Sequence, residues 1–297
     1  MVLTRNMKGA LFMAAAMAGF TINDALSKSL TEVMSVGQIM LVRGALTTLL
    51  VYGLARQARA AISPKLLGNP LIMTRVLCEI LASITYLTAL SAIPLANAAS
   101  ILQSLPLAVT LGAAVFLREP VGWRRWLAII AGFIGVMIII RPGPEGFTLS
   151  ALYVLGSVFF AATRDLVTTR IDRATPSIVI TLMTAAGNAL AGAALIPFQG
   201  GWQPLSLPSF GVLICAAILM FIGYQCIILA MRTADISFIA PFRYSGLLWA
   251  IGLGILVFHE WPDPWMRLGM AVVVGSGLYT FHRERLRKIR DAPALAV

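Results

Sequence analysis

Arg75, Glu79, Ala82 and Tyr86 stand at i, i+4, i+7 and i+11, the spacing that puts four side chains on one face of a helix. The surrounding segment is apolar, and a charge at the centre of a membrane helix costs about 2.5–3.5 kcal/mol on insertion scales. Charges kept at such a cost are candidates for function. Arg75 and Glu79 can pair along the helix, and Tyr86 extends the same stripe. Arg243-Tyr244 follows Pro241, where an interrupted helix frees carbonyls that can line a cavity. Arg243 is read as a ligand or gating group, against snorkelling to the headgroups. Arg43 has the same two readings. Gln103, with Asn97, Ser100 and Ser104 nearby and Pro106 following, is either a ligand contact or interhelical glue. Asn23, Tyr224 and Trp249 are further ligand candidates. Asp24 and Asp165 lie near helix ends and read as gates, beside Arg43 and Glu79. Counting mid-segment charges, Arg43, Arg75 and Arg243 stand against Glu79, which argues for an anionic, zwitterionic or polar aromatic ligand whose ring Tyr and Trp can stack. Glu79 is the carboxylate expected to carry proton coupling, with uncoupled diffusion as an equal competitor.

The elements that must position these residues follow from composition. The chain is 59% hydrophobic and 12% charged over 297 residues, with a mean hydropathy of +0.87. Soluble domains run at about 45–50% apolar and about 25% charged, so a water-facing surface is excluded. Apolar runs between breakers predict ten spans, at 7–26, 36–56, 71–92, 95–117, 122–140, 149–169, 177–196, 208–231, 236–258 and 265–282. Ser63-Pro64, Asn69-Pro70, Pro142-Gly143-Pro144 and Gly200-Gly201 mark loops. With the N-terminus in the cytoplasm, the outer segments carry Lys28, Arg141 and Arg267 and the spans carry Arg43, Arg75 and Arg243. The other seventeen of the 23 Lys and Arg fall on the inner side, Arg164 counted among them. The expectation is a multi-pass protein of the cell (inner) membrane with both termini cytoplasmic. The +11 net charge is then an orientation signal and an attraction to anionic lipid, and the basic tail is no nucleic-acid arm.

Cys78, Cys215 and Cys226 all lie in apolar segments and form neither a disulfide framework nor a metal-ligand pattern. The first twenty residues have the basic start and apolar run of a signal peptide. They are read as a retained span because they have a counterpart later in the chain.

That counterpart comes from a duplication. A shift of 141 residues lays Asp24 on Asp165, Ala89-Leu90 on Ala230-Met231, Ala99 on Ala240, and Arg118-Glu119-Pro120 on His259-Glu260-Trp261. Five spans per half is an odd number, so the halves enter the membrane in opposite senses. Inverted repeats are a recurring architecture of secondary transporters, with the ligand site between the halves. The domains are read as 1–143 and 144–297.

The stretch from Tyr86 to Gly143 resembles an EamA domain of the drug/metabolite transporter superfamily. Its Ala89-Leu90 then Pro94-Leu95-Ala96 turn, Pro106, Glu119-Pro120 and Ala131-Gly132-x-x-Gly135 carry the likeness. Leu229-Ala230-Met231, Pro241, Glu260 and Gly275-Ser276-Gly277 repeat it more weakly in the second half. The resemblance implies an all-α membrane protein, ten helices as two inverted five-helix repeats, moving a metabolite by alternating access around a central cavity. Riboflavin-type uptake and metabolite or amino-acid export are activities found among such proteins. The second half has Leu247 where the first has Pro106 and carries Pro241 six residues earlier, so the halves are expected to bend at different depths.

No HExxH, GxSxG or P-loop is present, and His259 and His282 lack a partner at ligand spacing, which argues against an enzyme or a nucleotide-driven pump. No catalytic residue, metal or cofactor is expected. A channel-like facilitator or a non-transporting receptor or scaffold remains the alternative. The expected partners are a small molecule and the lipid bilayer, in a monomer or a homodimer.

Overall fold

A computed structural model describes residues 5–58, 66, 68–118, 122–141, 148–172, 175–234 and 236–291, with backbone alone at 232, 236–237 and 284–291. Glu119-Pro120, Pro142-Gly143-Pro144, Ser63-Pro64 and the side chains of the basic tail lie outside the described residues. The elements are α1 (Arg5–Leu30), α2 (Val36–Gln57), α3 (Pro70–Leu90), α4 (Leu95–Leu102), α5 (Leu105–Phe116), α6 (Trp123–Ile140), α7 (Leu149–Thr168), α8 (Ser177–Leu195), α9 (Leu207–Thr233), α10 (Ile236–Ile239), α11 (Ser245–Phe258) and α12 (Pro264–Asp291). Short 3₁₀ turns, Ile196–Gln199 and Ala240–Tyr244, complete them. The described residues contain no strand.

Local chemistry sets the helix starts. Ser35, Asn69, Thr148 and Ser206 accept backbone N–H bonds at the first turns of α2, α3, α7 and α9, each replacing an intrahelical bond that a helix end lacks. Gly200 and Gly201 turn the chain with φ of +90° and +84°, a region that only glycine enters without strain.

Among the described residues, nine helical stretches are long and apolar enough to cross a membrane, with α4–α5 counted as one and Ala240–Phe258 as another. Their outer faces carry large apolar side chains in the open, such as Leu207, Leu256, Phe116, Leu190 and Leu248. Lipid solvates such a surface; water does not. α12 is the longest helix and packs along α6, though its mean hydropathy leaves it outside the nine.

Packing follows the duplication. α1 lies on α9 and α3 on α7, while α2 pairs with α8, α6 with α12 and α4 with α11. The shift of 141 carries α1 onto α7 and α3 onto α9, so it exchanges the first two pairs. It returns α2–α8 and α6–α12 to themselves, whereas α4 falls on the stretch 236–243 that precedes α11 and α5 falls on α11. Unusual backbone repeats too. Arg118 and His259, one shift apart, both take φ of 55° in the left-handed region.

The broken helices differ from expectation. The first-half break, at Gln103–Ser104, falls one shift from Tyr244–Ser245, where the 3₁₀ segment hands over to α11. The halves therefore bend at matching depths although their prolines are offset. Pro106 opens the helix after its break, where its missing N–H costs nothing, and Pro241 sits at the start of the 3₁₀ turn that precedes its own.

Small residues set the closest approaches. A Cβ on Gly192 of α8 would stand 2.5 Å from the Leu41 backbone N and 2.6 Å from the Gly37 backbone O of α2. Backbone atoms cannot yield as a flexible side chain can. Gly53 of the same α2 has nothing within 4 Å. We expect Gly192→Ala to cost about 1–3 kcal/mol by forcing α2 and α8 apart, and Gly53→Ala to be neutral or slightly stabilising. Reversible unfolding in mixed detergent micelles checks both, and equal midpoints for the two variants would contradict the close approach.

Candidate functional site

A cavity of about 330 Å³ lies where α1, α3, α4, α7, α9 and the 3₁₀ segment converge. Asn23, Asp24, Arg43, Glu79, Tyr86, Gln103, Tyr224 and Arg243 line it, so eight of the residues singled out from the sequence share one chamber. Phe20 and Tyr224 form an edge-on aromatic pair on its wall, with ring centroids 5.2 Å apart.

Three hydrogen-bonded groups organise the polar lining. On α1, Asn23 Nδ2 donates to Asp24 Oδ1 at 3.1 Å, and Tyr86 OH of α3 donates to Asp24 Oδ2 at 3.1 Å. Arg43 of α2 is buried and donates to Asn23 Oδ1 at 3.3 Å and to Ser27 Oγ at 3.0 Å. Across the chamber, Arg164 of α7 pairs with Glu79 of α3 at 2.6 Å and with its own neighbour Asp165 at 2.7 Å. At the helix breaks, Gln103 Nε2 donates to the Arg243 carbonyl at 3.4 Å. Thr21 Oγ1 of α1 donates to the Gly246 carbonyl at 3.3 Å, just past the second break.

Glu79 takes its ion-pair partner from another helix rather than from Arg75. α7 packs along α3 and brings a guanidinium straight onto Glu79, whereas Arg75 turns toward α8 and donates to Thr184 Oγ1 at 2.6 Å. Asp24, expected near a helix end, faces the chamber, which therefore holds a second carboxylate. Asp165 is tied to Arg164 and is not among the lining residues. Tyr244 is buried against Phe281 of α12, ring centroids 6.4 Å apart, and Trp249 is 45% exposed on the outer face of α11.

Arg164 was missed as a cavity residue because it sits near a span end among cations that favour the inner side. The signal that finds it is the duplication: the shift that lays Asp24 on Asp165 also lays Asn23 on Arg164.

A second cluster lies at the far end of α1. Lys28 pairs with Glu260 at 2.7 Å and donates to the Ile93 carbonyl at 2.6 Å. The other Glu260 oxygen accepts the Leu95 backbone N–H at 2.9 Å, capping α4. One carboxylate thus joins α1, α4 and the end of α11. Outside the spans, Asp263 bonds Arg141 and caps the first turn of α12 at Met266. The Arg141 hydrogen bond is the first cause holding its carboxyl below the ordinary range.

The Arg164 triad has an asymmetric consequence. Without Arg164, Glu79 keeps no cation at ion-pair distance among the described residues; without Glu79, Arg164 still has Asp165. We expect Arg164→Gln to lose on the order of 3 kcal/mol, as for a buried pair stripped of one partner, and Glu79→Gln to lose clearly less. The double variant should recover part of the Arg164→Gln loss. Unfolding in mixed micelles across this cycle is the measurement, and additive losses would show that the pair is not coupled.

The model of the EamA-like transporter family matches residues 7–141 and again residues 148–281. A riboflavin transporter of Vibrio cholerae is 30% identical over 204 residues, 67% of this chain and 66% of its own length. A pseudopaline exporter of Pseudomonas aeruginosa is 26% identical over 279 residues, 92% of this chain and 96% of its own. An S-adenosylmethionine uptake transporter of Rickettsia bellii is 26% identical over 66% of this chain and 67% of its own. A solved crystal structure superposes with a TM-score of 0.66 at 17% identity, over 94% of this chain and 98% of that one, which is a likeness of fold. With the family model matched twice, along both halves that the shift of 141 relates, the chain belongs to the EamA-like transporter family.

Proposed function

We propose that this family member is a ten-span secondary carrier that moves a small polar, aromatic or anionic metabolite across the cytoplasmic membrane by alternating access. α12 is the tenth span in this reading. Residues 1–143 and 144–297 are the two repeats, inserted in opposite senses with both termini cytoplasmic. The observation that carries the proposal is a single chamber bounded by both repeats, at the point where their broken fourth helices meet through Gln103 and Arg243. Two pseudo-symmetric halves that exchange conformations open such a chamber first to one side and then to the other.

The lining supports the substrate class. Phe20, Tyr86 and Tyr224 offer ring faces and edges, and Gln103 and Arg243 offer polar groups at the breaks. About 330 Å³ sits at the low end of the roughly 300–1,000 Å³ range of small-molecule sites. The relatives named for riboflavin and S-adenosylmethionine carry cargo that joins a heteroaromatic ring to a polar chain, a shape that this wall chemistry suits. Asn23, Tyr86, Gln103, Tyr224 and Arg243 are assigned to substrate contact, Tyr244 to support of the second break, and Trp249 to the lipid face.

Proton coupling, where it operates, is assigned to Asp24. Glu79 must break an ion pair to take a proton, whereas Asp24 accepts hydrogen bonds from Tyr86 and Asn23 with no cation at ion-pair distance among the described residues. Reconstituted into liposomes, the wild-type protein should show saturable counterflow of at least one compound in a panel of riboflavin, S-adenosylmethionine, aromatic amino acids, nucleosides and organic anions. Arg243→Ala should reduce that flux about tenfold or more, as for loss of a charged hydrogen bond. An inward proton gradient should accelerate uptake in wild type and not in Asp24→Asn, while Glu79→Gln keeps the response. Linear, non-saturating flux for every compound would replace the carrier with a channel-like facilitator. A gradient response retained in Asp24→Asn would remove Asp24 from coupling.

A further inference from the structure

Beside the main chamber lies a smaller pocket of about 50 Å³ between α2, α3 and α8, which shares Arg43, Glu79 and Tyr224 with it. At roughly 10–15 Å³ for each water-sized group, it has room for about three to five such groups. That is the size of one small polar headgroup and too small for a ring.

Its polar atoms are incompletely satisfied. Arg75 places one guanidinium N–H on Thr184 Oγ1, while its Nε is buried with no acceptor. Thr184 Oγ1 in turn donates to the Ile180 carbonyl, so its own proton is spent. Asn188, one turn further along α8, donates its Nδ2 to the Thr184 carbonyl at 3.2 Å and leaves Oδ1 buried with no donor. Arg43 enters the same pocket, and its guanidinium donates to a neutral amide and a hydroxyl, Asn23 Oδ1 and Ser27 Oγ. Neither Arg43 nor Arg75 has a carboxylate at ion-pair distance among the described residues. Glu79 also faces the pocket, but Arg164 holds its charge at 2.6 Å.

An orphaned buried donor or acceptor carries a penalty that a bound partner removes. The orphans here are an arginine N–H, which needs an acceptor, and an amide oxygen, which needs a donor. The backbone around them cannot relax to supply either. α2 and α8 are closely packed at this level too, where a Cβ on Gly44 would stand 2.9 Å from the Ala189 backbone N. The pocket is thus rigid and short of negative charge, and it shares the Arg43, Glu79 and Tyr224 wall with the chamber.

We infer that this pocket is a carboxylate subsite for the transported molecule, in which Arg75 and Arg43 hold the carboxylate and Asn188 Oδ1 accepts a bond from an adjacent amino or hydroxyl group, while the ring occupies the main chamber. The inference rests on the carrier reading above. It selects, within the substrate class, molecules that end in an α-amino or α-hydroxy carboxylate.

The test uses pairs that differ in the carboxylate alone: tryptophan against tryptamine, and S-adenosylmethionine against its decarboxylated form. Binding is read as ligand-induced thermal stabilisation of the detergent-solubilised full chain, with counterflow in liposomes as a separate readout. Wild type should bind the carboxylated member of at least one pair about tenfold or more tightly, as for a charge-assisted hydrogen bond. Arg75→Gln should abolish that preference and leave the decarboxylated member's binding unchanged, whereas Asn188→Leu should weaken both members, which share the amino group. Arg75→Lys keeps the charge without the fork, so it should fold and retain only part of the preference.

Equal binding of the two members of every pair by wild type would overturn the subsite. Stabilisation by sulfate alone, lost in Arg75→Gln and without carboxylate preference, would overturn it in favour of a small-ion site. Counterflow that persists while the Arg75 variants lose no preference sinks the subsite and spares the carrier. A carboxylate preference with no counterflow of any compound sinks the carrier reading instead.

Discussion

A helix that crosses lipid must satisfy every backbone polar group inside the protein, because the medium offers no partner. This chain breaks that continuity twice, at Gln103–Ser104 and at Ala240–Tyr244, and the rest of the structure is arranged around the repair. Gln103 bonds the Arg243 carbonyl, Thr21 bonds the Gly246 carbonyl, and Glu260 caps Leu95 at the start of the first broken helix. Each repair reaches from one half of the chain to the other. Local bonds such as Ser104 Oγ to the Ile101 carbonyl and Ser245 Oγ to the Phe242 carbonyl begin the repair within each half, the bonds between halves add to it, and the chamber forms at that junction.

The same medium governs the charges. An isolated cation in the spans would be expensive, and most of those present are held by partners on other helices. Arg164 on α7 neutralises Glu79 on α3 while pairing with Asp165 beside it, and Lys28 on α1 neutralises Glu260 beyond α11. The Arg164–Glu79 and Lys28–Glu260 pairs tie helices of opposite halves. Arg43, Arg75 and Arg243 have no carboxylate at ion-pair distance among the described residues; Arg43 and Arg75 are held by neutral oxygens and open on the small pocket, and Arg243 lines the main chamber.

Much of this was legible in the sequence, for physical reasons. Span positions follow from the length of apolar chain a bilayer demands, and the duplication follows from unlike residues recurring at one offset. Residues recurring at helical spacing found one wall of the chamber, because a helix face is a one-dimensional property. What pairs with Glu79 is a matter of which helix lies against α3, and periodicity along a single helix holds no such information. Arg75 was therefore taken as its partner although Arg164 fills that place. Proline position misled in a similar way. Pro106 and Pro241 lie out of step, but each sits beside its break rather than at its centre, and the breaks themselves match. Arg118 and His259 show the stronger rule: left-handed backbone at equivalent points survived although the residue changed.

The scaffold is close to two-fold while the chamber is not, and that contrast bears on how a carrier of this kind would work. Asn23-Asp24 on α1 and Arg164-Asp165 on α7 occupy equivalent positions, yet one offers an amide beside a carboxylate and the other a guanidinium beside one. Arg43 on α2 and Thr184 on α8 are likewise one shift apart, and so are Thr47 and Asn188. Exchanging the conformations of the halves would preserve most of the helix packing, since the pairs α2–α8 and α6–α12 map onto themselves and α1–α9 maps onto α3–α7. It would not exchange the charges. A ligand held by Arg43 and Arg75 stays on the same residues in both states, so the scaffold can invert around a site that does not. In the carrier proposed above, symmetry in the backbone with asymmetry in the lining would let one fixed set of contacts face two sides of a membrane in turn.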